Sequence, residues 1–188
     1  MTRCNNQPPA TQTAPRTSAV APCTTATPAC VEWVTLGGGP GRSMIYRTYS
    51  LEAPNERVTR ALIMIHGTNR NADHYFDTAK AAAFLAGAID DAVVIAPRIV
   101  CGTDPLEPNE INWPCGGDSW RSGGMSTTHP ALSSFDIVDE ILRKLARKSV
   151  FPNIKARYVP WIERGVGSVR VTQEPTYRAC HAVPRPAS

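Results

Sequence analysis

The chain has 188 residues, of which 42% are apolar, enough for one domain with a buried core. Its net charge of +4 is mild. Residues 156–188 carry three of those charges (five Arg against two Glu) with no interleaved aromatic stripe, so nucleic-acid binding is not expected. No apolar run approaches the ~18 residues of a membrane span, and residues 1–22 hold no apolar stretch of a secretory signal. The chain as written reads as soluble, with its localisation and oligomeric state open and an export signal upstream of Met1 not excluded.

In chain order, residues 1–30 come first. Eighteen of these 30 are Pro, Thr or Ala, and without apolar periodicity they predict a disordered leader. The folded region is expected over 31–159. Val31–Leu36 and Met44–Tyr49 read as two strands joined by the turn material Gly37-Gly38-Gly39-Pro40-Gly41, hence a hairpin. That glycine run is no phosphate loop, because the Gly-x-x-x-x-Gly-Lys-[Ser/Thr] spacing is absent. Residues 60–65 are an apolar, partly β-branched run without a polar face, the pattern of a strand buried on both sides. His66-Gly67-Thr68-Asn69-Arg70-Asn71 then turns the chain into a helix. Asp73 is its expected N-cap and Gly87 its stop, with Tyr75, Phe76, Ala79, Ala83 and Phe84 at helical spacing.

Ala92–Pro97 predicts a second buried strand, so 60–97 reads as one βαβ unit. A long polar segment follows over 98–130. Ser133-x-x-Asp136 opens the next helix as a capping box, with Leu132, Phe135, Val138, Ile141, Leu142 and Leu145 as its buried stripe. Arg143, Lys144, Arg147 and Lys148 crowd its last turns, which suits the helix dipole; Pro152 ends it. Ile154–Val159 reads as the last strand. The expected fold is α/β: a mostly parallel sheet with an antiparallel N-terminal hairpin.

Six cysteines show no metal-ligand spacing. Cys101 and Cys115 flank a Pro/Gly/Asn loop, and Cys23 and Cys30 lie in the leader. Loop-closing disulfides fit an exported protein and free thiols a cytosolic one; the sequence leaves both open. A metal or redox site built on His66, Asp73, His74 and the cysteines is the weakest reading, since capping and solvation account for Asp73 and His74. No cofactor and no metal are expected. His129, Asp118, Asp136 and Asp139 read as loop or helix-face groups.

The element order, with His66-Gly67 after the third strand, resembles the N-terminal half of the α/β-hydrolase superfamily, over about Val31 to Val159. The likeness extends to Asn69-Arg70-Asn71-Ala72-Asp73-x-Tyr75-Phe76-Asp77, Trp113, Trp120-Arg121-x-Gly123-Gly124, Ser133-Ser134-Phe135-Asp136 and Phe151-Pro152-Asn153-Ile154-Lys155. These resemble segments of a branch of esterase-like and polyester-depolymerase-like enzymes. The resemblance implies that the backbone N–H groups of Thr68 and Asn69 line an oxyanion hole, supported by the turn at His66 and Gly67. It also implies a small-molecule or polymer ester as substrate of the intact enzyme, and a serine nucleophile assisted by a histidine and an acid.

That serine is missing. The nucleophile belongs on a Gly-x-Ser-x-Gly turn after the fifth strand, yet no serine here has glycine two places away on both sides. Ser168 has Val166 and Arg170, and the 29 residues after Val159 leave no room for the acid and histidine loops. The expectation is therefore a domain truncated after its fifth strand, inactive as written. The genetic code suggests a cause. Trp161 must be TGG and Ile162 begins AT, so reading one nucleotide later makes the first codon GGA, glycine. With G or C at the wobble positions the next codons read Ser-Ser-Ala-Gly. Residues 160–188 are accordingly expected to be a non-native or disordered tail from a frameshift. The alternative is a non-enzymatic binding or interaction protein that keeps half of the fold.

Overall fold

The computed structural model describes residues 20–163 and 166–172. Six strands form the main sheet: β1 (Val31–Thr35), β2 (Arg42–Arg47), β3 (Arg60–Ile63), β4 (Ala92–Pro97), β7 (Ala156–Glu163) and β8 (Val166–Thr172), in spatial order β1-β2-β4-β3-β7-β8. Two further strands, β5 (Val100–Cys101) and β6 (Asn112–Trp113), form a separate parallel pair. The α-helices among the described residues are α1 (Ala72–Leu85) and α2 (Phe135–Leu145).

The expected mostly parallel α/β-hydrolase sheet is not what forms. Only β3–β4 and β3–β7 run parallel, whereas β1–β2, β2–β4 and β7–β8 are antiparallel. The sheet is mixed. The reason is connectivity: β1 and β2 are a hairpin whose second strand docks antiparallel against β4, and β8 begins three residues after β7 ends and pairs antiparallel with it. Short connections can only reverse a strand, while a parallel neighbour needs a crossover such as α1. Nor does the sheet stop at its fifth strand in chain order, since β8 extends it.

Alternation of side chains sorts β3 and β4 into two cores. Ala61, Ile63, Val93 and Ile95 face α2, whose Ile137, Val138, Ile141, Leu142 and Leu145 belong to the larger core. Val94 and Ala96 face α1, whose Phe76, Ala79 and Ala83 join Cys30 in a smaller one. All of β4 is buried, as expected of a strand covered on both faces.

Residues 20–30 pack on the α1 side. Cys23 is bonded to Cys30, its N–H donates to the Thr48 carbonyl at 2.7 Å, and Lys80 of α1 donates to the Thr24 carbonyl. Residues 1–19 of the expected leader, and 173–188 of the expected tail, lie outside the described residues.

Helix ends follow local chemistry. The N-cap of α1 is Asn71, two residues before the expected Asp73. Its C-terminus closes as a Schellman turn: Ala88 N–H reaches the Ala83 carbonyl at 2.8 Å, and Gly87 N–H reaches Phe84 at 2.9 Å. Gly87 has φ +63°, the left-handed conformation such a turn requires. Phe84 lies past the buried face and is 69% exposed. In α2 the Asp136 carboxylate accepts the Ser133 N–H at 2.7 Å, half of the expected capping box. Helix α2 ends at Leu145, before Pro152 is reached.

Candidate functional site

The turn from β3 into α1 sits at the carboxyl end of the parallel strands, where α/β sheets place ligands. Its first residue, His66, is buried. The Ile99 N–H donates to its Nε2 at 2.9 Å, so that nitrogen is unprotonated. Its Nδ1 lies 2.9 Å from the Gly67 carbonyl and donates to it. The Trp120 ring stands edge-on to the imidazole, with centroids 5.0 Å apart. Burial holds this histidine below its ordinary pKa, against the pull of the Gly67 carbonyl. With both nitrogens engaged, His66 is a neutral strut for the turn and has no free nitrogen to act as a base.

Gly67 lets the Tyr75 hydroxyl approach the turn closely. A Cβ there would lie 3.0 Å from the Tyr75 hydroxyl. Arg70 then takes φ +53°, costly for a non-glycine residue by about 1–2 kcal/mol. Its N–H closes the turn onto the Gly67 carbonyl at 3.1 Å. Its guanidinium grips Asp104 through both carboxylate oxygens, Nη2–Oδ1 being 2.9 Å, and also donates to the Thr68 carbonyl. Arg70 holds the Asp104 carboxyl below its usual pKa, with burial opposing and the Cys101 N–H assisting.

Between these anchors Thr68 and Asn69 are exposed. Among the described residues neither backbone N–H donates a hydrogen bond to the protein. Two adjacent free donors on a pinned turn can receive a carbonyl oxygen as it gains negative charge.

The long polar segment meets this turn through Trp120 and Asp104. That segment holds β5, β6 and a 3-10 turn at Trp120–Ser122, which apolar periodicity does not reveal. Cys101 pairs in register with Trp113 and is disulfide-bonded to Cys115. Trp120 is packed on His66, and its carbonyl accepts from the Ser134 hydroxyl at 2.5 Å. Gly123, at φ +84°, leaves room for the Phe135 ring, which a Cβ would meet at 2.4 Å; a Cβ on Gly124 would sit 2.0 Å from the Asp118 carbonyl oxygen. Trp120, Gly123, Gly124, Ser134 and Phe135 thus form one packed wall behind the turn. Arg70–Asp104, which binds the wall's loop to the turn, had no signal in the sequence because 34 residues separate the partners.

β7 runs beside β3, with Leu62 opposite Tyr158. Past Val159 the backbone continues as a strand to Glu163 and returns as β8, with Glu163 opposite Val166 and Trp161 opposite Ser168. No strand–turn–helix elbow follows β7 among the described residues. No group of three or more His, Cys, Asp or Glu among them could hold a metal ion, and Cys23, Cys30, Cys101 and Cys115 are in disulfides. No helix among them is long and apolar enough to cross a membrane. No protein-family model, curated protein or solved structure matches the chain.

Proposed function

We propose that the Thr68–Asn69 turn is the oxyanion-stabilising element of a serine carboxylic-ester hydrolase, and that this chain does not itself hydrolyse esters. The observation that carries the reading is the pair of unused backbone donors at the carboxyl end of the parallel strand β3, which is buried at Ala61 and Ile63 while Arg60 is exposed and Leu62 half-buried. They are pinned on one side by His66 and on the other by Arg70. In an intact enzyme of this type they would bind the developing oxyanion, each donor contributing about 10²–10³ in rate. The absence of Gly-x-Ser-x-Gly from these 188 residues, and the strand hairpin after Val159, support the second half of the proposal. Loss of the serine removes on the order of 10⁶ in rate.

Sequencing the coding DNA from codon 150 through and beyond the stop tests this. The expected result is that one base added or removed near codon 160 yields Gly-x-Ser-x-Gly and a long frame with Asp and His. The repaired chain should then cleave a short acyl ester that the present chain leaves intact. If all three frames lack such a motif, the hydrolase reading fails. The hairpin that caps β7 would then favour a non-enzymatic binding domain, recognised by soluble expression and a cooperative melt.

A further inference from the structure

We propose that the Cys101–Cys115 disulfide is a redox clamp on the Thr68–Asn69 turn, so that the turn is held in its anion-receiving shape only under oxidising conditions. The inference rests on the reading of that turn given above. It follows a continuous set of contacts. Cys101 lies in β5 and its N–H donates to Asp104 Oδ2 at 3.0 Å. The Asp104 N–H returns to the Cys101 carbonyl at 3.3 Å, and Gly102 N–H to that of Trp113 at 3.1 Å. Gly102 has φ +63° and backs onto the Cys115 sulfur, 3.0 Å from where a Cβ would stand. Asp104 is therefore set on a tight loop whose far end is tied down by Cys115. Its two carboxylate oxygens accept from Nε and Nη2 along one edge of the Arg70 guanidinium. That guanidinium holds the Thr68 carbonyl and fixes the left-handed backbone of the turn.

The sulfurs differ in access. Cys101 is 1% exposed, whereas Cys115 is exposed. A dithiol therefore attacks at Cys115. Its thiolate forms a mixed disulfide with Cys115 Sγ and expels the Cys101 thiolate, which takes up a proton. The second thiol of the reagent then closes its own disulfide and releases Cys115 as a thiol. The protein gains two electrons and two protons, and the dithiol is oxidised. Once Cys115 is free, the loop keeps the two-residue β5–β6 pair. It also keeps the Asn112 amide donating to the Gly102 carbonyl at 2.9 Å and Arg98 donating to the Pro105 carbonyl at 2.6 Å. None of these touches Asp104, and so short a pair is marginal. Asp104 then loses its fixed position, and Arg70 loses the partner that holds it at positive φ.

The test reads backbone order in the ¹⁵N-labelled full chain by NMR, before and after reduction by a small dithiol, with thiol alkylation confirming which bond is cut. In the oxidised chain the Thr68 and Asn69 N–H vectors should be rigid, with order parameters of about 0.85. After reduction they should fall below about 0.6, while Val93–Ala96 stay rigid. C101S/C115S should reproduce the loss. Asp104→Asn should do so with the disulfide intact, and C23S/C30S should leave the turn rigid. The clamp is overturned if Thr68 and Asn69 keep their order after the bond is cut. It is equally overturned if Val93–Ala96 loosen with them, since the disulfide would then be a general staple. Ester cleavage is not read here, so failure of the clamp and failure of the hydrolase reading are separate results.

Discussion

Replacing His66 by Ala isolates what the strut contributes. Three losses follow from the geometry. The Ile99 N–H, on a residue 1% exposed, is left without its acceptor, at about 1–3 kcal/mol. The edge-on contact with Trp120 is worth about 0.5–1.5 kcal/mol. A void replaces the ring in a close-packed region, at roughly 1 kcal/mol. Together they amount to about 3–5 kcal/mol, a fall in melting temperature of roughly 10 °C for a domain of this size. His66→Gln restores an acceptor for Ile99 and should cost about half as much. Urea unfolding followed by tryptophan fluorescence measures both. The pH dependence gives a second reading. Because the folded pKa lies below the ordinary 6.5, the unfolded chain binds the proton more readily. The stability His66 confers is complete above pH 6.5 and lost as pH falls from there toward the folded pKa; His66→Gln should lack that part of the acid loss. A cost below about 1 kcal/mol for His66→Ala, or identical acid profiles for the wild type and His66→Gln, would refute the strut.

Gly124→Ala should cost about 3 kcal/mol or more, because its Cβ meets the Asp118 backbone at 2.0 Å, whereas Gly116→Ala, with nothing within 4 Å, should be near neutral; urea midpoints compare them. Glu110→Ala removes a buried carboxylate that accepts from Arg98 Nη1 at 2.9 Å and from the Glu107 N–H at 3.0 Å; Arg98 is 21% exposed and keeps the Pro105 carbonyl, so a loss of about 1–3 kcal/mol is expected in the same assay. Gly87→Ala forces a side chain into φ +63° and should cost about 1 kcal/mol by thermal melting, with the site unaffected.

Where apolar pattern decides structure, the sequence is legible. Continuous burial marks β4, and alternation around a glycine run marks the β1–β2 hairpin. Strand direction carries no such signature, which is why a mostly parallel sheet is expected where β2–β4 is antiparallel; β8 falls where the sequence predicts a non-native tail. In α2 the stripe needed Ile137 in place of Phe135, whose ring instead fills the space over Gly123. The turn at His66–Asn71 is visible from its residues, but what pins it is not. Ile99, Asp104 and Trp120 lie 33, 34 and 54 residues from the groups they hold. Pairing at such distances depends on tertiary geometry alone. The Asn71 cap likewise preceded the expected Asp73, since a turn ending in left-handed Arg70 delivers the chain into helix earlier.

The smaller core has a consequence of its own for evolution at the turn. Helix α1 rests on the sheet through Phe76, Ala79 and Ala83 against Val94 and Ala96, so beyond the Phe76 ring methyl groups set the gap between the layers. The stretch from Met64 to Asn71 has to bridge that gap. A larger side chain at position 79, 83 or 96 would lift the helix and stretch the bridge, moving Thr68 and Asn69 without touching them. Those three alanines act as a spacer, and variation at them would be expected to adjust the turn from the far side of the helix.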